Sequence, residues 1–275
     1  MASSGEYNSL GLDRPHSARM YDYYLGGKTN YAPDREAARK TLEVNPDIPV
    51  AARENRAFIH RVTRVLARDY GIRQWLDVGT GIPTSPNLHE VAQAIAPEAR
   101  VVYVDNDPIV LAHARALLTS TPQGRTGYIQ ADVNDPDSII ASEKLAKTLD
   151  LSQPVTLSLM GVLHFITDDA DAHGIVRRLI DALPSGSALA LSHVTPDFNA
   201  QAWEKFAQIT QAAGIPTRFR SKTEVEKFFS GLDLLAPGVV VCHRWRPGGG
   251  EELPRIGTDV TDAQVSLWGG VAFKP

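Results

Sequence analysis

The 275-residue chain holds a single cysteine, Cys242. A lone cysteine excludes an intrachain disulfide and any metal site built from several thiolates. Set in the apolar run 239–242, it reads as a buried strand residue and suits a reducing compartment. Long hydrophobic runs are missing as well. No stretch reaches the roughly 18 apolar residues of a membrane-crossing helix. Residues 1–11 lack the basic start and apolar stretch of a secretory leader, so the expected setting is cytoplasmic, with no membrane partner. A basic surplus is also absent. Lys and Arg number 28 against 32 Asp and Glu, a net charge of -4, so no nucleic-acid partner is expected. No His-x-x-x-His and no carboxylate cluster stands out as a metal site. Asp168, Asp169 and Asp171 precede a helical stretch and read as capping and dipole residues.

What is present is ordinary globular material, 43% hydrophobic and 22% charged. Residues 1–13 read as a frayed terminus, and residues 14–71 as an N-terminal helical cap. The clearest helix of that cap spans 49–70, with Phe58, Val62 and Val65 on one face, arginines over much of the rest, and Gly71 as a stop. From residue 72 the period changes. Strands are expected at 74–78, 100–104, 126–130, 154–160 and 187–192. Helices are expected at 87–96, 108–118, 136–149, 168–183, 196–213 and 223–229, with Asp107 and Asp135 as caps. Five such alternating units predict an α/β, doubly wound, parallel sheet over 72–275. Two further apolar stretches, 232–243 and 263–273, flank a triple glycine at 248–250 and suggest an antiparallel edge.

The densest information lies at residues 75–84. An apolar run ends in Asp77, and Gly79-Thr80-Gly81 opens the next helix. Two glycines let the backbone turn tightly and approach a ligand. A dinucleotide fingerprint places a third glycine three positions after the second. Thr84 stands there, behind Pro83, and Asp77 lies near the place of a pyrophosphate. Two more acids follow at strand ends. Asp105 ends the second strand, where a carboxylate can accept both ribose hydroxyls. Asp132 ends the third, where it either accepts from an adenine amino group, with Val133 holding the ring, or makes a local turn into the helix at Pro136.

This constellation resembles the class I methyltransferases that depend on S-adenosylmethionine (SAM). The resemblance implies a Rossmann-like, seven-stranded sheet with its last strand antiparallel. It implies cofactor contacts at Asp77, Gly79, Thr80 and Gly81, at Asp105 with Asn106, at Asp132 with Val133, and at Met160 ending the fourth strand. The segment 18–31, with Asp34-Arg35, residues 55–58, 162–165 and 268–272, is similar to a bacterial S-adenosyl methyltransferase family first catalogued as a domain of unknown function. That likeness covers nearly the whole chain and leaves the acceptor unnamed.

The expected reaction is in-line methyl transfer to O or N of a small molecule. The cap is expected to close over the cofactor, with Tyr21, Tyr24 and Tyr31 lining the acceptor pocket and Lys28, Asn30 and Arg56 holding polar groups. His164, just after the fourth strand, is the candidate base, with His193 as a weaker rival. The segment 160–163 lacks the Asn/Asp-Pro-Pro-Tyr sequence of many enzymes that methylate nucleic-acid bases. Two alternatives stay open at this stage: a SAM-binding regulator without turnover, and an NAD(P)-dependent oxidoreductase.

Overall fold

The computed structural model describes residues 11–117, 119–247 and 260–275. Most of the expected frayed terminus and the triple glycine at 248–250 lie outside the described residues. Three helices precede the sheet: α1 (Ser17–Tyr24), α2 (Ala32–Val44) and α3 (Ile48–Asp69). α3 buries Phe58, Val62, Val65 and Leu66, the face its periodicity predicts. It stops where Gly71 adopts a φ of +67° and the Ile72 N–H reaches back to Leu66 O at 3.0 Å. That is a glycine-terminated cap, which places the orphan carbonyls of the last turn. One of its arginines departs from a solvated face. Arg61 is buried and donates to the carbonyls of Trp245 at 3.0 Å and Cys242 at 2.6 Å.

Five parallel strands follow: β1 (Gln74–Val78), β2 (Arg100–Asp105), β3 (Arg125–Gln130), β4 (Thr156–Met160) and β5 (Ala188–Val194). β8 (Leu267–Phe273) runs antiparallel to β5, with Leu191 opposite Gly270. With β6 at Asp233–Leu234, the order is β3-β2-β1-β4-β5-β8-β6. The position outside β8 is filled in two pieces, β6 (Asp233–Leu234) and β7 (Val240–Val241), both antiparallel to it. Between them the chain bulges away through Pro237 and Gly238, so the apolar stretch 232–243 cannot form one continuous strand.

The helices are shorter than their periodicity suggests. The stretch 136–149 divides into α6 (Pro136–Ile140) and α7 (Glu143–Thr148), because Ser142 caps a second start by accepting from Lys144 N. Between β4 and β5 lies α8 (Ala172–Asp181), preceded by two 3-10 turns, Leu163–Phe165 and Asp168–Ala170. Asp171 at φ 50° accepts from Gly174 N and restarts the helix there. α9 (Ala200–Ala212) begins four residues late, at the Asn199 cap. α4 (Leu88–Gln93), α5 (Pro108–Leu117), α10 (Lys222–Glu226) and α11 (Asp262–Val265) complete the set. α11 occupies the start of a stretch expected as strand, because Thr261 and Gln264 form a capping box.

Each sheet face has its own core. On one, Phe58, Val62 and Leu66 of α3 share a cluster with Trp75, Val101, Tyr103 and Ala190. On the other, Leu76, Val102, Leu157 and Leu189 pack with Ile139, Leu145 and Leu179. α3 is therefore part of the layer that covers the sheet. Phe58 is fully buried and meets Trp245 edge-on at 5.6 Å, an interaction set worth roughly 2–4 kcal/mol. The chain leaves β1 for β2 and β3 on one side and returns to β4 on the other. The crevice beyond the carboxyl ends of β1 and β4 is thus a topological switch point, the usual ligand position in open α/β sheets.

Candidate functional site

A cleft of about 270 Å³ opens at that switch point. Its floor is the glycine loop after β1. Gly79 N and Thr80 N both donate to Val104 O, at 2.9 and 3.2 Å, which pins the loop to the end of β2. Gly81 N donates to Asp105 Oδ2 at 2.9 Å, and Asp107 N to Asp105 Oδ1 at 3.0 Å. The glycine loop and the second-strand acid are therefore one hydrogen-bonded unit. Each Asp105 oxygen keeps a further lone pair for a ligand. A Cβ at Gly79 would lie 2.5 Å from Val162 Cγ2, whereas one at Gly81 would meet nothing within 4 Å. The first glycine permits the crossing of the segment after β4, and the second leaves space open.

Burial sets the electrostatics. Asp77 is buried, and loss of hydration pushes its carboxyl up to about 6, against the pull of the Ser158 and Thr80 hydroxyls and Arg56. Burial also raises Asp105. Asp132 is exposed. Its Oδ1 accepts from the backbone N–H of Asn134 at 2.9 Å and from Asn134 Nδ2 at 2.8 Å, the local turn foreseen as an alternative. Oδ2 takes part in neither bond, and Asp132, Val133 and Asn134 all line the wall. Asp77, Gly79, Thr80, Gly81, Asp105, Asn106, Asp132, Val133 and Met160 all line this one cleft.

The cap residues divide. Tyr21, Tyr24 and Arg56 line the cleft. Tyr21 Oη accepts from Asn55 Nδ2 at 3.2 Å and donates to Ala52 O at 3.0 Å, and Asn55 is held in turn by Ser192 Oγ at 2.6 Å. Burial raises the Tyr21 phenol, so it stays protonated. Tyr24 Oη pairs with Thr41 Oγ1 at 2.7 Å. Arg56 spans two carbonyls, Thr84 O at 2.5 Å and Pro86 O at 2.8 Å, and so holds down the segment after the glycine loop.

Lys28, Asn30 and Tyr31 do not join them. Lys28 is exposed on the α1–α2 turn, outside the cleft wall. Asn30 is spent inside that turn, donating to Asp22 Oδ2 at 2.8 Å and Gly27 O at 3.0 Å. Tyr31 starts α2, and its ring lies under the Arg19 guanidinium at 5.7 Å. In Asn30, local hydrogen bonding consumes the polar groups that looked free for a ligand.

His164 lies in the wall, directly after β4. Its ring packs on Phe165 at 4.2 Å and near His193 at 5.8 Å, and its Nδ1 has no hydrogen-bond partner. Burial, then His193 and Arg220, hold the imidazole neutral to well below its ordinary range. His193 is a structural residue outside the wall. Its Nδ1 donates to Val194 O at 2.7 Å, which leaves Nε2 to accept from Arg220 Nη1 at 3.1 Å. Arg220, fully buried, also donates to Leu163 O at 3.0 Å and Ile166 O at 3.1 Å. It therefore rivets the segment that carries His164 onto the end of β5.

Sequence reasoning missed several wall residues. His16 lines the cleft with Nδ1 at 3.3 Å from Asp107 Oδ2, and buried Arg19 approaches the same oxygen at 3.3 Å. Asp107 caps α5 through Oδ1, as expected, and ties α1 to the site through Oδ2. Trp203, Phe206 and Phe219 line the far end. Trp203 and Phe206 are three apart on α9, which signals an apolar face but not that the face borders a cleft. Among the described residues no group of three or more potential metal ligands exists, and no helix is long and apolar enough to cross a membrane.

Comparison with known proteins fits this geometry. The family described as S-adenosyl methyltransferase matches residues 3–275. No curated protein sequence matches the chain. Among solved structures, a DUF574 family protein from Streptomyces avermitilis is 47% identical, with a TM-score of 0.91 over 97% of this chain and 100% of that one. A Thermobifida fusca protein provisionally classed as a methyltransferase is 36% identical, with a TM-score of 0.87 over 99% of each chain. A SAM-dependent methyltransferase from Anabaena variabilis, 14% identical with a TM-score of 0.50 over 95% of this chain and 97% of that one, shares the fold. The oxidoreductase alternative falls away. The chain belongs to the S-adenosyl methyltransferase family, whose cofactor is SAM.

Proposed function

We propose that the protein transfers the methyl group of SAM to an oxygen or nitrogen of a small molecule. The observation that carries this reading is the cleft itself, which joins an acid-lined end to an aromatic end past Met160 and His164. The residues present fit the cofactor. Asp105 offers lone pairs to ribose hydroxyls, Asp132 Oδ2 and Val133 suit adenine, and the open face of Gly81 leaves room beside them. Asp77 and Arg56 supply opposite charges for a zwitterionic amino-acid tail. A cation settling on Asp77 offsets the burial that raises its carboxyl.

When bound, SAM supplies an electrophilic methyl on a sulfonium centre. The protein's share is orientation, an effect worth up to about 7–11 kcal/mol. Tyr21, Tyr24 and the α9 rings confine the acceptor. His164 stands where an acceptor proton can leave, and Arg220 positions it. The test is release of S-adenosylhomocysteine (SAH) from SAM, in the presence of small metabolites, tRNA, duplex DNA or protein in turn. Release with small molecules alone is expected. Release with a macromolecule only, or with none of these, overturns the reading.

A further inference from the structure

Besides the acids, two groups of apolar and aromatic side chains line the cleft. One comprises Met20, Tyr21 and Tyr24 of α1 with Ile48 and Ile59 of α3. The other comprises Trp203 and Phe206 of α9 with Phe219 beyond it. These three rings touch one another, with centroids at 5.3 Å for Trp203–Phe206, 5.1 Å for Trp203–Phe219 and 5.7 Å for Phe206–Phe219. Phe219 also faces His164 at 6.1 Å. The slot is thus aromatic on one side and tyrosine-lined on the other, with an imidazole at its inner edge.

Charge is distributed unevenly along the cleft. Apart from His164, the ionisable acids and bases that line it among the described residues are His16, Arg56, Asp77, Asp105 and Asp132, besides tyrosines. Three of these end strands β1 to β3 or follow directly on them. His16 lies against Asp107, and Arg56, which acts on the Tyr21 phenol, has its Nη2 on the carbonyls of Thr84 and Pro86. Of these, only Arg56 lies near a slot side chain, acting on Tyr21, and the Trp203–Phe206–Phe219 side carries none. An acceptor with a carboxylate, phosphate or ammonium there would lose its hydration without a countercharge. A flat neutral ring gains both burial and edge or face contacts. Two wall atoms, Trp203 Nε1 and His164 Nδ1, are buried without a partner. A hydroxyl can serve such groups, since it both donates and accepts.

We infer that the methyl acceptor is an uncharged aromatic alcohol of the phenol type, its ring between the tyrosine wall and the Trp203–Phe206–Phe219 wall and its hydroxyl beside His164. This deepens the methyl-transfer reading and rests on it. In the step, a lone pair of the hydroxyl oxygen forms the new C–O bond. The methyl–sulfur bond breaks and its electron pair stays on sulfur. The hydroxyl proton passes to the His164 imidazole and on to solvent. The products are an aryl methyl ether, neutral SAH and a proton. A weakly basic imidazole is sufficient, because an O-protonated ether is a far stronger acid than imidazolium.

The test compares three isosteres by equilibrium dialysis on SAH-loaded protein: a naphthol, the matching naphthoate and the matching naphthylmethylammonium. The naphthol is expected to bind at least about 10-fold more tightly than either ion. Phe219→Leu should weaken naphthol binding by about 3–10-fold, and Trp203→Phe is a second, milder variant. Calorimetry with SAH on each sample shows that it is folded and loaded. An ion that binds as tightly as the naphthol overturns the inference. So does absence of naphthol binding, or naphthol affinity unchanged in both variants. If SAH binds and naphthol does not, this inference alone fails. If SAH itself does not bind, the methyl-transfer reading fails with it.

Discussion

Gly79 and Gly81 sit two residues apart in the same loop, at φ of +77° and +69°. Alanine at either position takes on left-handed strain of about 1–2 kcal/mol. The two differ in what the new methyl group meets. At Gly79 it would lie 2.5 Å from Val162 Cγ2 and 2.6 Å from Val162 Cβ, while at Gly81 it would meet nothing within 4 Å. Val162 Cβ is joined directly to the main chain after β4, so relief requires a backbone shift, an overpacking cost of about 1–3 kcal/mol. Gly79→Ala should therefore destabilise the protein by roughly 2–5 kcal/mol, against roughly 1–2 kcal/mol for Gly81→Ala. Urea unfolding followed by circular dichroism measures both. Adding Val162→Ala to Gly79→Ala removes the γ-carbons but leaves the β-carbon, and should recover about 1 kcal/mol in a double-mutant cycle. Equal costs for the two glycine variants, or a larger cost at Gly81, would refute the crossing of these segments.

Three other consequences follow from buried charge. The folded Asp77 carboxyl titrates at about 6, above its ordinary 3.8, so its stabilising share is complete below the lower value and is lost as pH rises through the upper one. Asp77→Asn should then make the ligand-free protein more stable than wild type near pH 8 by about 2–3 kcal/mol, with the gap closing near pH 4 and SAH binding weakened; equal thermal stability near pH 8 contradicts this. Arg220→Met strands the carbonyl of Ile166, leaves Leu163 O only the Ile166 N–H and frees His193, and should cost about 2–4 kcal/mol in denaturant unfolding, where a cost under about 1 kcal/mol contradicts its riveting role. Burial, His193 and Arg220 keep His164 unprotonated to well below its ordinary range, so the base form persists as pH falls. The rate profile should show no His164 inflection near pH 6.5, and His164→Gln should lower kcat by about 100-fold or more.

The acid-and-glycine end of the cleft was legible because each signal is local. An apolar run ending in Asp77, two glycines and acids closing two further strands need only short-range chemistry to read, and all line one cleft. The alternation of strands and helices likewise predicted the parallel sheet, and the two closing apolar stretches its antiparallel edge. What escaped depends on contacts far apart in sequence. Arg61 reaches carbonyls of Trp245 and Cys242, and Arg19 reaches Asp107, so charges that look solvated are buried. The polar residues of the α1–α2 turn read as a lid, but Asn30 satisfies Asp22 and Gly27 within the turn itself. Trp203 and Phe206 show helical spacing, which cannot say whether the opposite surface is core or cleft. The two-piece edge of β6 and β7 arises from a bulge that an apolar count does not see.

The central claim is that the acids at the ends of β1, β2 and β3 form one SAM site. Calorimetric titration with SAH, on wild type and on Asp105→Ala, tests it most directly. The carboxylate accepts the Gly81 and Asp107 N–H groups and keeps lone pairs for ribose, charge-assisted bonds worth about 1.5–3 kcal/mol each. Wild type should bind SAH at one site per chain, and Asp105→Ala should bind at least about 10-fold more weakly. Absence of SAH binding to wild type, or equal affinity in the two proteins, would contradict the account.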